Sequence, residues 1–243
     1  MTARRDGRRA DEMRPVRFEP GWLEHAEGSC LATCGRTRVL CAASVETRVP
    51  PFLAGSGRGW VTAEYAMLPR STHTRTPRET DRPRARSQEI KRFIGRALRA
   101  VCDLGALGER QVIVDCDVIE ADGGTRTLAL SGGMVALRLA LDRLAARGDI
   151  ARDPVIEYVA ATSAGRVDGE LRLDLAYEED SRAEMDMNLA RTESGRIIEF
   201  QATAEGLPFT FDELARLHEL AAGAIAGLIR LQRAAVESAR AGR

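Results

Sequence analysis

The sequence predicts an α+β fold, because its strands and helices come in blocks and not in strict alternation. Short runs of period-two alternation cluster near the start and again after Pro154, an almost wholly apolar helical stretch lies between them, and a long helix closes the chain. Ser29 to Cys34 and Arg38 to Ser44 read as strands joined through Gly35-Arg36-Thr37, and Gly59 to Tyr65 as a third, so the first half begins as antiparallel sheet. From Ile90 the apolar residues fall at Ile90, Phe93, Ile94, Ala97, Leu98 and Val101, one face of a helix, with Ser87 as its expected N-cap. In Gln111 to Ile119, Val112, Val114, Cys116 and Val118 fall in period-two alternation against Asp115 and Asp117, the pattern of a half-buried strand. Thr127 to Ala146 is apolar on nearly every face until Arg138, which predicts a helix enclosed by protein and stopped at Gly148. A second group of strands follows at Val155 to Ser163, Glu170 to Leu175, Glu184 to Thr192 and Arg196 to Ala202, the last two joined through Glu193-Ser194-Gly195. A helix from Phe211 to Ala239 ends the chain.

With 243 residues, 44% of them hydrophobic, the chain suits one domain spanning residues 1–243, and Gly148 to Pro154 is its one candidate linker. Cations and anions number 36 each, so the overall charge makes no case for nucleic acid, membrane or an acidic partner, and any such case must be local. No apolar stretch is long enough to span a bilayer, and the charged start MTARRDGRRADEMR lacks a signal-peptide h-region. Cys30, Cys34, Cys41, Cys102 and Cys116 form no C-x-x-C pair and have no clustered histidines, so they read as reduced thiols of a cytoplasmic protein.

Charge is nevertheless uneven. Arg70, Arg75, Arg78, Arg82, Arg84, Arg86, Lys91, Arg92, Arg96 and Arg99 meet only Glu79, Asp81 and Glu89, and the stretch from Arg70 to Arg86 is rich in Ser, Thr and Pro, as a surface loop would be. A long basic loop suits a phosphate backbone. Arg92, Arg96 and Arg99 fit the same RNA-binding surface, an ordinary salt-bridged helix face, or a subunit contact. Tyr177 to Asp186 is the opposite, with Glu178, Glu179, Asp180, Glu184 and Asp186 against Arg182 alone.

Three motifs carry chemistry. Gly123-Gly124-Thr125-Arg126-Thr127 stands where a strand ends and the enclosed helix begins. A bare Gly-Gly would be only a turn, but a helix N-terminus, a hydroxyl and a guanidinium fork together suit phosphate. It is neither a Walker A sequence nor G-x-G-x-x-G. Arg86 stands at the boundary of the basic loop and the amphipathic helix, anchored and aimed. On an extended strand Glu184, Asp186 and Asn188 share one face and Met185, Met187 and Leu189 the other. If Asp180 folds back towards Asp186, the pair offers hard oxygen ligands for magnesium; otherwise the run is a solvated acidic hairpin. Phosphoryl transfer on nucleic acid uses a phosphate cradle, an arginine clamp, a magnesium-type carboxylate pair and a basic loop together.

These strings resemble the ribonuclease PH family nearly end to end. The resemblance rests on Arg5-Asp6-Gly7-Arg8 with Asp11-Glu12 and Arg14-Pro15; Arg48-Val49-Pro50-Pro51-Phe52; Gly59-Trp60-Val61-Thr62-Ala63-Glu64-Tyr65 with Met67-Leu68-Pro69-Arg70; Ile94-Gly95-Arg96; Asp115-Cys116-Asp117-Val118; Ala121-Asp122-Gly123-Gly124-Thr125-Arg126-Thr127; Leu173-Asp174-Leu175 with Tyr177-Glu178-Glu179-Asp180-Ser181; and Asp186-Met187-Asn188. It implies a two-layer α+β fold with a left-handed βαβ crossover, and a ring-shaped homohexamer built as a trimer of dimers. It implies that Arg86, Gly124, Thr125 and Arg126 bind the attacking inorganic phosphate and that Asp180 and Asp186 serve catalysis with Mg2+, or Mn2+. Arg70, Arg75 and Arg78 would help hold RNA. The implied reaction trims 3′ ends of transfer-RNA precursors and other RNAs, ribosomal RNA among them, releasing nucleoside 5′-diphosphates reversibly. Ala85 and Ser87 stand where the family commonly has Gly and Thr, and Arg182 where a small residue is common. A non-catalytic RNA-binding subunit of an exosome-like ring is the alternative, and a hydrolytic metal nuclease is a further rival.

Overall fold

The computed structural model describes residues 4–79 and 84–242. Two sheets share one hydrophobic core that runs from Phe18 to Val236. The first has five strands, β1 (Val16–Pro20), β2 (Gly28–Cys34), β3 (Thr37–Glu46), β4 (Trp60–Met67) and β5 (Gln111–Glu120), in the order β1-β2-β3-β5-β4. Among the described residues only β4 and β5 pair in parallel, and the crossover between them is made by α1 (Ala85–Ala100) and the short α2 (Leu104–Leu107). The second sheet is antiparallel, with β6 (Val159–Val167), β7 (Glu170–Leu173), β8 (Met185–Thr192) and β9 (Ile197–Ala204) in the order β7-β6-β8-β9.

Between the sheets runs α3 (Thr125–Ala146), packed on β2, β3 and β5 on one side and on β6 on the other. Its all-round apolar sequence follows from that enclosure, and Arg138, the first charge within the stretch, is itself buried and paired with Asp142 and Asp153. Gly132 lets the helix sit against the sheet, since a Cβ there would lie 2.7 Å from Ala32 and 2.9 Å from the Cys41 sulfur. The closing helix α5 (Phe211–Ala241) packs on β6 and begins with a capping box, Thr210 accepting from the Glu213 N–H at 3.2 Å while Glu213 accepts from the Thr210 N–H at 2.7 Å. All five cysteines are free and buried. Among the described residues no helix is long and apolar enough to cross a membrane.

The sequence reading needs correction at several places. The first amphipathic helix begins at Ala85, and Ser87 is not its cap: the Ser87 hydroxyl donates to Glu79 at 2.9 Å from inside the first turn. The strand expected from Val155 starts at Val159, because Val155 makes only an isolated bridge to Cys102. Strand β1 and helices α2 and α4 (Tyr177–Asp180) are too short to announce themselves by periodicity. The segment holding Asp180 is therefore a helical turn and not a hairpin.

Candidate active site

The cradle is built where β5 hands the chain to α3. Gly123 and Gly124 take φ of +78° and +68°, in the left-handed region that a glycine adopts without strain. Among the described residues no side chain caps α3, which leaves the amides of its first turn to an anion. The loop is pinned from behind: Thr37 Oγ1 donates to the Gly123 carbonyl at 2.8 Å and accepts from the Asp122 N–H at 2.9 Å, while Arg14 donates to the carbonyls of Asp122 and Gly123.

Thr125 and Arg126 project from the cradle. The Thr125 hydroxyl accepts from Tyr65 Oη at 2.9 Å, and burial lifts the Tyr65 phenol against the charges of Arg86 and Arg126, so Tyr65 stays a neutral donor. Arg126 donates to Glu89 of α1 at 3.0 Å and to Gln201 of β9 at 2.6 Å. One guanidinium therefore spans three elements, and an arriving phosphate must share it with Glu89 and Gln201. Arg86, the second residue of α1, is exposed, and its charge reaches both Tyr65 and Asp180.

Asp180 ends α4 and Asp186 is the second residue of β8. Strand β8 alternates as expected, with Met185, Met187 and Leu189 fully buried and Asp186 and Asn188 on the other face. Asn188 pairs in register with Gln201, so Asp186 shares its face with the residue that holds Arg126. The five acids of this region separate by their partners. Glu178 pairs with Arg5 at 2.5 Å, Glu179 with Arg4 at 2.7 Å and Glu184 with Arg166 at 2.7 Å. Among the described residues, neither Asp180 nor Asp186 has an ion pair. Both carboxyls are raised above the ordinary aspartate value. Desolvation is the main cause for each, even though Asp180 is solvent-accessible, and the charge of Asp180 lifts Asp186 further while Arg126 opposes both shifts. Two adjacent anions with no cation of their own fit a divalent ion that keeps most of its waters. Arg182, the charge inserted between them in sequence, is turned to Asp168 at 3.3 Å.

The basic loop is rooted beside the cradle. Its start continues the β4 pairing through Leu68 N–H to the Val118 carbonyl at 3.0 Å, and the Ala121 N–H donates to Ser71 at 2.8 Å, two residues before Gly123. Arg70, Arg75 and Arg78 are exposed, whereas Arg82 and Asp81 lie outside the described residues. The three helical arginines part company. Arg92 is exposed, Arg96 pairs with Glu199 at 2.6 Å, and Arg99 is committed to the fold, stacked 4.2 Å over Trp60 and donating to the Val61 carbonyl at 2.8 Å.

Sequence reasoning assigned no role to Tyr65, Glu89, Gln201, Thr37 or Arg14. Tyr65 was the most findable, because β4 alternation turns it inward and a buried phenol needs a partner.

Comparison with known proteins bears on family and fold. Residues 12–141 match the model of the 3′ exoribonuclease family, domain 1, and residues 157–224 that of domain 2. The chain is 51% identical over 237 residues to proteins named ribonuclease PH from two strains of Neisseria gonorrhoeae, covering 97% of this chain and 98% of each relative. Among solved structures, rice Rrp46 superposes with a TM-score of 0.77 at 19% identity, covering 96% of this chain and 100% of that one. A chain of the Archaeoglobus fulgidus exosome with RNA bound to the active site superposes at 0.79 with 23% identity, covering 93% and 91%. These two likenesses concern the fold.

Proposed function

The chain belongs to the ribonuclease PH family, and from that membership and its site we propose that it is a phosphorolytic 3′-to-5′ exoribonuclease acting on transfer-RNA precursors and other RNA 3′ ends. The observation that carries the reading is the meeting of a positive cradle with two carboxylates, Asp180 and Asp186, that have no ion pair among the described residues and lie within reach of the charge of one guanidinium, Arg126. Attack by inorganic phosphate on a phosphodiester brings two anions together. The open amides of α3, the Thr125 hydroxyl, Arg126 and Arg86 neutralise the nucleophile and orient one of its oxygens towards the 5′-phosphorus of the last nucleotide. As that P–O bond forms, the bond to the 3′-oxygen of the preceding nucleotide breaks. The oxygen takes up the proton brought by the incoming hydrogen phosphate and leaves as a hydroxyl on the shortened RNA, and the terminal residue departs as a nucleoside 5′-diphosphate. A phosphodiester is thereby exchanged for a phosphoanhydride, so excess diphosphate drives nucleotidyl transfer in reverse.

Mg2+, or Mn2+, held by Asp180 and Asp186 supplies charge stabilisation at the leaving oxygen. Arg70, Arg75, Arg78 and Arg92 guide the RNA backbone, with Arg96 at the edge of that path. The active form is a homohexamer, a trimer of dimers, working in the cytoplasm. The test is degradation of a transfer RNA bearing extra 3′ nucleotides, with magnesium, with and without phosphate. Phosphate-dependent release of diphosphates supports the reading. Monophosphates released without phosphate mean hydrolysis, and RNA binding without products means a non-catalytic ring subunit. Both would overturn it.

A further inference from the structure

We propose that the buried Arg14–Asp174 ion pair is the positioning device of the phosphate half of the site, holding the Gly123–Gly124 cradle in register with the segment that leads to Asp180. The proposal rests on the phosphorolytic reading above and adds to it two residues that touch no substrate.

Asp174 is 3% exposed and takes φ of +51°, a conformation that a non-glycine residue keeps only when its surroundings enforce it. What enforces it is a set of donors from the N-terminal segment: the Arg14 N–H at 2.9 Å, its Nε at 2.9 Å, its Nη2 at 2.6 Å and Arg8 Nη1 at 3.2 Å. Burial raises the Asp174 carboxyl, and the hydrogen bonds and charge of Arg14 outweigh it, so the group lies below the ordinary aspartate value and stays an anion. Arg14 is itself buried, and the edge of its guanidinium not used by Asp174 donates to the carbonyls of Asp122 and Gly123. The same planar group thus grips a carboxylate of the second half and the backbone of the cradle in the first. On the far side of Gly123 the contact closes again, because the backbone of Leu175, Ala176 and Tyr177, which follows Asp174 and ends three residues before Asp180, fills the space a Cβ on Gly123 would need. Every side-chain nitrogen of Arg14 and both carboxylate oxygens of Asp174 are engaged within the fold, so the arrangement is a brace and not a second binding site.

A lysine at position 14 keeps the charge opposite Asp174 but gathers its donors on one nitrogen, where arginine spreads them over Nε, Nη1 and Nη2 to reach the carboxylate and two carbonyls. Arg14→Lys is therefore expected to raise the KM for phosphate about tenfold and to lower kcat, with the KM for RNA within about twofold of the parent. Thr37→Val, which removes the other pin on the Gly123 carbonyl at nearly unchanged volume, is expected to move the phosphate KM the same way and keeps the test open if Arg14→Lys does not fold. Asp153→Asn serves as the stability control: it breaks a pair with Arg138, thirteen residues and about 20 Å along α3 from Thr125, and leaves both KM values in place. Phosphate KM values within twofold of the parent in folded Arg14→Lys and Thr37→Val, or phosphate and RNA KM values rising together, overturn the proposal. Arg126→Ala run alongside separates the two readings. If it too leaves the phosphate KM unchanged, the assignment of the cradle itself has failed and not only that of the brace.

Discussion

Replacing Gly123 by alanine tests the contact on which the site depends. A Cβ at this position would lie 2.5 Å from the Leu175 carbonyl oxygen, 2.8 Å from the Tyr177 nitrogen and 2.9 Å from the Ala176 carbonyl carbon, all of them backbone atoms. Ordinary contact between such atoms begins near 3.4 Å, so the 175–177 segment must retreat by about 0.9 Å. Two penalties add. Holding alanine at φ of +78° costs about 1–2 kcal/mol, and forcing a packed backbone apart costs about 1–3 kcal/mol. Gly148→Ala isolates the first, since Gly148 has φ of +75° with nothing within 4 Å of the added carbon. Urea unfolding of both variants should therefore show Gly123→Ala less stable than Gly148→Ala by about 1–3 kcal/mol. Asp180 lies three residues beyond Tyr177, and displacing a catalytic group by about 1 Å lowers turnover by about a hundredfold. kcat at saturating phosphate and RNA should fall by that order in Gly123→Ala and stay near the parent value in Gly148→Ala. Equal unfolding midpoints for the two variants, with kcat of Gly123→Ala within twofold of the parent, would refute the close approach. A destabilised variant with full turnover would show that the approach does not fix Asp180.

The other predictions use the same site. Asp186→Asn should lower turnover by at least about a hundredfold while leaving RNA and phosphate binding in place, measured by single-turnover kinetics and filter binding. Its stability should move the other way. The raised carboxyls of Asp180 and Asp186 bind protons more readily folded than unfolded, so their contribution falls as pH rises from about 4 through the raised values. At neutral pH the asparagine variant should be up to about 1 kcal/mol more stable than the parent, with no difference at pH 3. A less stable variant at pH 7.5 contradicts the repulsion. Arg75→Ala and Arg78→Ala should each reduce the slope of log affinity against log salt by about 0.7 for single-stranded RNA, and an unchanged slope removes that side chain from the RNA path. Arg99→Ala should lose about 1–2 kcal/mol of stability, from its stacking on Trp60 and its bond to Val61, without weakening RNA binding. A weakened RNA affinity with unchanged melting would return Arg99 to the binding surface.

The parts of the molecule legible in the sequence are those where one element's own pattern decides its fate. The alternation of Val112, Val114, Cys116 and Val118 gives β5, and the unbroken apolar surface from Leu128 to Leu137 gives a helix with protein on both sides, because burial acts on each side chain separately. The register of Met185 and Met187 against Asp186 is equally local, and it turned Asp186 to the correct face. What the sequence hides is sorted by partners far away in the chain. Glu178, Glu179, Asp180, Glu184 and Asp186 are five carboxylates within nine residues, and nothing in their spacing tells a structural acid from a functional one. The distinction comes from Arg5, Arg4 and Arg166, which occupy Glu178, Glu179 and Glu184; the first two reach across more than 170 residues. Helix α4 is likewise four residues long, too short to persist by itself, and is held by the Arg4–Glu179 pair and the approach of Gly123. The N-terminal arginines thus do two things at once. They anchor α4 through Glu179, and by pairing with Glu178 and Glu179 they leave Asp180 as the acid of that helix with no ion pair among the described residues. A cation attracted to this region is drawn to Asp180 and Asp186, because Glu178, Glu179 and Glu184 already have arginine partners, and Arg182, the one positive charge between the two aspartates in sequence, is held aside by Asp168.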